Sequence, residues 1–216
     1  MDIAIIGAGN VGRSLATAFV RAGHTVTIAS RDPEDVGAVA AETGATVAAS
    51  NEAAVSASSV VVLAVPFSSA TDVAAEIGDV VAGKVVIDVS NRMSFGADGP
   101  AMDTTTSNAE ELAALLPDAR IVKAFNTLFA SHQSDPIADG VQLDGYVAAD
   151  DDAARATALD LVESIGLRPV DVGPLARARQ LEGLAFLNIT LNIANGGSWQ
   201  SGWKLVGAPA PLAAAA

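Results

Sequence analysis

The chain opens with an apolar run, Asp2-Ile3-Ala4-Ile5-Ile6, that ends directly in Gly7-Ala8-Gly9-Asn10-Val11-Gly12. A G-x-G-x-x-G at this position leaves few folds open. The run is apolar on both faces, as in a strand buried within a parallel sheet. Val11, Leu15, Ala18 and Phe19 then recur at helical spacing, and Gly23 stops the helix. Each glycine of the turn has a task. Gly7 makes the tight turn, Gly9 lets the backbone approach a pyrophosphate, and Gly12 lets helix and strand pack closely. The free N–H groups and dipole of the helix then face the phosphates. The expectation is a dinucleotide site built on Gly7, Ala8, Gly9, Asn10, Val11 and Gly12.

The same alternation continues down the chain. Strands are predicted at 25–29, 46–48, 59–64, 84–88, 120–125, 146–148 and 167–172. Helices are predicted from Asp32-Pro33 to Thr43, from a Ser68 or Ser69 cap to Ile77, and from a Ser107–Glu110 capping box to Leu116. Two more run from Asp150-Asp151-Asp152 to Gly166 and over 177–194. The three aspartates read as a helix cap meeting the positive end of the dipole, not a metal site. Strands alternating with helices mean an α/β, Rossmann-like, doubly wound and mostly parallel sheet, here with a small C-terminal helical extension. The expected division is a nucleotide-binding domain over 1–176, a helical segment over 177–207 and a disordered tail over 208–216. The polar stretch 89–107 reads as a long loop, functional or disordered.

The end of the second strand bears on the cofactor. An NAD site places an acid there for the ribose 2′-hydroxyl. This chain has Ser30-Arg31 instead, suited to a 2′-phosphate: Ser30 donates a hydrogen bond and Arg31 pairs through its fork. The cofactor expected is therefore NADP(H).

Other strand ends should line the crevice, because open α/β sheets bind ligands there. They carry Val65-Pro66-Phe67, Val89-Ser90-Asn91-Arg92 and Phe125-Asn126-Thr127. Asn126 suits the nicotinamide carboxamide, or is a turn residue ending a strand. Phe67 walls the cofactor, or is a half-buried loop aromatic. Arg92 meets an anionic substrate, or is a solvated loop charge. His132 reads as inert in a polar loop, His24 as structural, and Lys123 as a strand residue without a catalytic part. No catalytic acid–base pair emerges, so Asn126, Phe67 and Pro66 stand only as candidates for aligning a ring.

Composition excludes several alternatives. The 216 residues include no cysteine and two histidines, which removes disulfide scaffolds, cysteine nucleophiles and histidine-rich metal centres. A net charge of −13 leaves no basic stripe for nucleic acid. No apolar run reaches the roughly 18 residues of a membrane span, and the start lacks a basic signal-peptide region. A cytoplasmic protein acting on a small molecule is expected. The 17 Asp, 8 Glu and only 3 Lys suggest a halophile's acidic surface. Over 177–205 the last helix carries apolar residues all round, from Leu181 to Ile193, and the sheet can cover one side only. A homodimer through this segment is expected.

With these residues in view, the chain resembles the NADP-dependent reductases of coenzyme F-420, a deazaflavin. It is similar also to the cytosolic reductase domain of the six-transmembrane ferric reductases. The likeness spans roughly residues 2–205. It rests on the glycine turn with Ser30-Arg31, Val65-Pro66, Asp88-Val89-Ser90-Asn91, Ser107-Asn108-Ala109-Glu110, and Val122-Lys123-Ala124-Phe125-Asn126-Thr127. Gly173-Pro174-Leu175, Ala178-Arg179 and Glu182 add to it. The resemblance implies one Rossmann domain, usual dimerisation, NADPH on the glycine turn and Ser30-Arg31, and a crevice that includes Asn91 and Ala124. It implies hydride exchange between NADPH and F-420. The competing readings are an NADPH reductase of an imine, carbonyl, flavin or ferric chelate, and an NADPH sensor without turnover. Some archaeal members carry histidine where this chain has Asn126.

Overall fold

Alternate residues of the first strand enter two separate cores. The computed structural model describes residues 1–97 and 99–207, so the tail expected over 208–216 lies outside the described residues. Ile3 and Ile5 of β1 (Asp2–Ile6) pack with Leu15, Phe19, Val60 and Val62 on one face of the sheet. Ala4 and Ile6 pack with Val61, Leu63, Val73 and Leu112 on the other. A strand with two covered faces must be apolar throughout, as this one is from Ile3 to Ile6. Full burial of a side chain such as Phe19 contributes about 1.5–3 kcal/mol.

In chain order, α1 (Asn10–Arg21), β2 (Thr25–Ala29), α2 (Pro33–Thr43), β3 (Thr46–Val47), α3 (Asn51–Ser56), β4 (Val60–Leu63), α4 (Ala70–Ile77) and β5 (Val85–Asp88) follow. Next come β6 (Met93–Gly96), β7 (Gly99–Met102), α5 (Asn108–Leu115), β8 (Arg120–Lys123), α6 (Ala130–Ser134), β9 (Ile137–Ala138) and β10 (Val141–Gln142). The described chain then forms β11 (Asp144–Ala149), α7 (Asp152–Ser164), β12 (Arg168–Gly173) and α8 (Ala178–Ala194). The main sheet has eight strands in the order β12-β11-β8-β5-β4-β1-β2-β3. All neighbours are parallel except β8 and β11. The chain winds outward from β1 through β2 and β3, then returns to the other side of β1 with β4. That reversal opens a crevice at the carboxyl ends of β1 and β4.

Four helices begin as their sequences dictate. Asp32 caps α2 through the Glu34 and Asp35 amides, Ser50 caps α3, Ser107 and Glu110 close a capping box on α5, and Asp151 caps α7. Of the other two aspartates, Asp150 accepts from the Leu175 amide and Asp152 pairs with Arg155.

Several expectations are corrected. Ser69 stands at the N-cap of α4, but its hydroxyl makes no capping bond; a 3₁₀ turn over Phe67–Ser69 leads into the helix, and that hydroxyl accepts from Arg31. The stretch 89–107 is largely a hairpin, with β6 and β7 paired Met93 to Met102 and Phe95 to Pro100. α8 is not buried all round. Its inward side holds Leu181 and Ala185 but also Glu182, Asn188 and Asn192, while Leu187 and Leu191 stay about half exposed, at 48% and 49%. Among the described residues, no helix is long and apolar enough to cross a membrane.

Candidate active site

The glycine turn is a steric necessity. A Cβ on Gly7 would lie 2.3 Å from the Ala64 carbonyl oxygen, and φ there is +114°. A Cβ on Gly12 would lie 2.0 Å from the Gly7 oxygen, so helix and turn meet only because both residues are glycine. The Gly7 amide donates to the Ala29 carbonyl at 2.8 Å, tying the turn to the end of β2. Gly9 differs: a Cβ there would meet no protein atom within 4 Å, because it would point into the open crevice. No side chain caps α1, unlike α2, α3, α5 and α7.

Three cavities follow the strand ends. The first, about 180 Å³, is lined by Gly7, Ala8, Gly9, Ser30, Arg31, Asn51, Val65, Pro66 and Val73 among others. The second, about 520 Å³, runs from Gly9, Asn10 and Val11 past Val65, Pro66 and Phe67 to Val89, Ser90, Asn91, Met93 and Phe95. The third, about 170 Å³, joins Val11, Asn91 and Asn126 to Thr127, Phe129, Ala185, Asn188 and Ile189. Sequence reading missed Asn51 and Val73, which come from α3 and α4, and Met93 and Phe95, which come from the hairpin.

Asn126 reaches the crevice through a backbone exception. Phe125 is fully buried and holds φ at +63°, a left-handed value uncommon for a bulky residue. The chain turns there, so Ala124 stays at 0% exposure in the core and lines none of the three cavities, whereas Asn126 faces the third. Asn91 donates from Nδ2 to the Asn126 carbonyl at 3.3 Å. Its Oδ1 must then accept, and it does so from Asn126 Nδ2 at 2.8 Å. This exchange fixes both amides. It leaves Asn126 Oδ1 buried without a hydrogen-bond partner, which is costly unless something donates to it.

Beneath the crevice floor lies a charged cluster. Lys123 is fully buried, and its Nζ donates to Asp88 Oδ2 at 2.7 Å, Glu182 Oε1 at 2.7 Å and the Ser90 carbonyl at 2.5 Å. Asp88 also accepts from the Ser90 amide and hydroxyl and from Asn108 Nδ2. Glu182 accepts from the Asn108 and Arg92 amides. All three ammonium protons are used, so Lys123 is a brace joining β5, β8, α5 and α8. It holds the Ser90-Asn91-Arg92 backbone in place. Arg179 pairs with Glu110 at 2.7 Å, which holds that carboxyl below its usual range and ties α8 to α5 again.

Two further expectations are settled by contacts. Arg92 is not a free loop charge: it pairs with Asp103 at 3.2 Å and with Glu111. His132 is on α6, not in a loop. It is buried, with its ring nitrogens against the Asp135 and Gln200 carbonyls at 3.0 and 2.6 Å. His24 lies 3.1 Å from the chain's amino terminus and 3.0 Å from Ser164 Oγ. Burial and that terminal charge lower its pKa.

Fold, glycine turn and switch-point crevice together define a Rossmann-type dinucleotide protein. Residues 2–92 match the family described as NADP oxidoreductase, coenzyme F420-dependent. The chain is 34% identical to the F420-dependent NADP reductase of Methanothermobacter thermautotrophicus, over 90% of each chain. It is 32% identical to metalloreductase STEAP3 of Rattus norvegicus over 84% of its own length, but spans only 36% of that protein. Among solved structures, a putative F420-dependent NADP-reductase from Arthrobacter sp. FB24 superposes with a TM-score of 0.87 at 30% identity, covering 95% of this chain and 99% of that one. The chain belongs to the F420-dependent NADP reductase family.

Proposed function

We propose that this protein exchanges hydride between NADP(H) and the deazaflavin coenzyme F-420. The observation that carries this reading is the second cavity: among the described residues, none that lines it is titratable. The Ser90 hydroxyl is spent on Asp88 at 2.7 Å. A carbonyl or imine reductase needs a proton donor beside the reacting carbon. A hydride passing between two rings needs alignment and exclusion of water, which such a cavity supplies. When bound, NADPH delivers hydride to a ring carbon of the oxidised deazaflavin while solvent supplies the proton, giving NADP⁺ and the reduced deazaflavin.

The residues present fit the dinucleotide. The uncapped start of α1 and the open side of Gly9 suit a pyrophosphate. Ser30 and Arg31 suit the 2′-phosphate. Asn126 Oδ1, which lacks a donor, suits the carboxamide NH₂ of the nicotinamide. Gly12 supports the turn from beneath, while Ala8, Asn10, Val11, Val65, Pro66, Phe67 and Asn91 wall the path. The test is to add NADPH anaerobically to the oxidised deazaflavin with the protein present. Loss of the deazaflavin's visible band is expected. A stable band over hours, with NADPH binding retained, rejects the reading. Turnover of an imine, flavin or ferric chelate in parallel samples promotes those acceptors.

A cytoplasmic homodimer is proposed as its working form. The support is the outer face of α8, where Leu187 and Leu191, one helical turn apart, are 48% and 49% exposed. Such a stripe on an otherwise acidic protein suits the same stripe of a second copy. The −13 charge suits a salt-rich setting, because ions screen its self-repulsion. Light scattering in molar potassium chloride should give twice the chain mass, and the melting temperature should hold or rise toward that salt. A monomer mass contradicts the dimer, and a steady fall in melting temperature contradicts the salt reading.

A further inference from the structure

We propose that Phe95, on the β6–β7 hairpin, is the stacking surface for the acceptor's ring and limits the acceptor to flat conjugated heterocycles. The proposal deepens the hydride-transfer reading above and rests on it. Side chains alternate along a strand, so Met93 and Phe95 share one face of the hairpin. Both line the cavity that continues from the glycine turn past Phe67. Phe95 is nevertheless 67% exposed. A phenyl ring left in water beside a cavity is unspent apolar surface, and a flat ligand covers it.

The hairpin is held as a fixed wall. Arg92, at its base, reaches Asp103 on the far side at 3.2 Å and Glu111 on α5. The Arg92 amide donates to the buried Glu182 at 3.1 Å. Four-residue strands then carry Phe95 outward, opposite Pro100. Among the described residues, Phe67 and Phe95 are the only aromatic residues lining this cavity, and no charged group lines it. Stacking on these rings is therefore the apolar recognition available there, beside the polar side chains of Asn10, Ser68 and Asn91, and it is tolerant of ring substituents.

The experiment uses the full chain saturated with NADP⁺ and titrated against oxidised deazaflavin and riboflavin, read by fluorescence polarisation. Phe95→Ala and Phe95→Leu should each weaken ring binding by roughly tenfold, in the range of stacking losses. Phe95→Trp should bind within about twofold of the parent. NADPH affinity and melting temperature should not move, since the ring is exposed and does not line the cavity that holds Ser30 and Arg31. Parent-like binding by Phe95→Ala or Phe95→Leu overturns the proposal, as does a parent protein that binds neither probe. The two readings fail separately. Unchanged binding in Phe95→Ala with normal deazaflavin reduction overturns only the role of Phe95. Binding that depends on Phe95, with no reduction by NADPH, supports Phe95 and overturns the deazaflavin reductase.

Discussion

Lys123→Met should lower stability by about 3–5 kcal/mol, the usual cost of removing one partner from a buried ion cluster. The lysine has 0% exposure, and its loss strands Asp88 and Glu182 within the protein without a cation. Water cannot reach them to compensate. Domains of this size shift by roughly 2–4 °C per kcal/mol, so the melting temperature should fall by about 6–20 °C. The defect should also reach the site. The Ser90 carbonyl loses its donor, and Asn91, whose exchange with Asn126 depends on this backbone, loses its anchor. NADPH binding by the folded fraction should weaken accordingly. Thermal melts and NADPH titration check both parts. A melting temperature within a degree or two of the parent would show that the cluster braces nothing.

Arg31→Ala should weaken NADPH by about 10–150-fold, equivalent to losing a charge-assisted hydrogen bond of roughly 1.5–3 kcal/mol. Arg31 lines the first cavity beside Ser30, at the end of β2. Among the described residues its guanidinium makes one hydrogen bond, to Ser69 at 3.5 Å, which leaves it available to a phosphate. NADH lacks that phosphate and should be nearly unaffected. Parallel titrations of the two cofactors measure the difference, and equal losses would remove Arg31 from cofactor selection.

The glycine turn was legible because its G-x-G-x-x-G falls between a recognisable strand and helix. Gly7 and Gly12 are needed for contacts with Ala64 and with the turn itself, and neighbouring residues announce the strand and helix around them. Helix caps such as Asp32 and Ser107 were legible for the same reason. The hairpin was not, because its strands have four residues each and are interrupted by Gly and Pro, too short for an alternating pattern. Gly96 and Gly99 were the available turn signals. α3 and α6 have six and five residues, less than two helical turns, so no periodicity marked them. Long-range pairings were the least legible. Lys123 meets Glu182 across 59 residues, and Asn91 meets Asn126 across 35. The turn that separates Ala124 from Asn126 was not legible, because it rests on a left-handed phenylalanine, Phe125.

The central claim is direct transfer of hydride from the nicotinamide to an aligned acceptor ring, with no protein acid or base carrying it. NADPH bearing deuterium at the transferred position of C4 tests this most directly. The reduced deazaflavin, collected after a single turnover in ordinary water, should carry the deuterium on carbon, where it does not exchange with solvent. NADPH oxidation that leaves the deazaflavin unlabelled, or unreduced, would contradict the account.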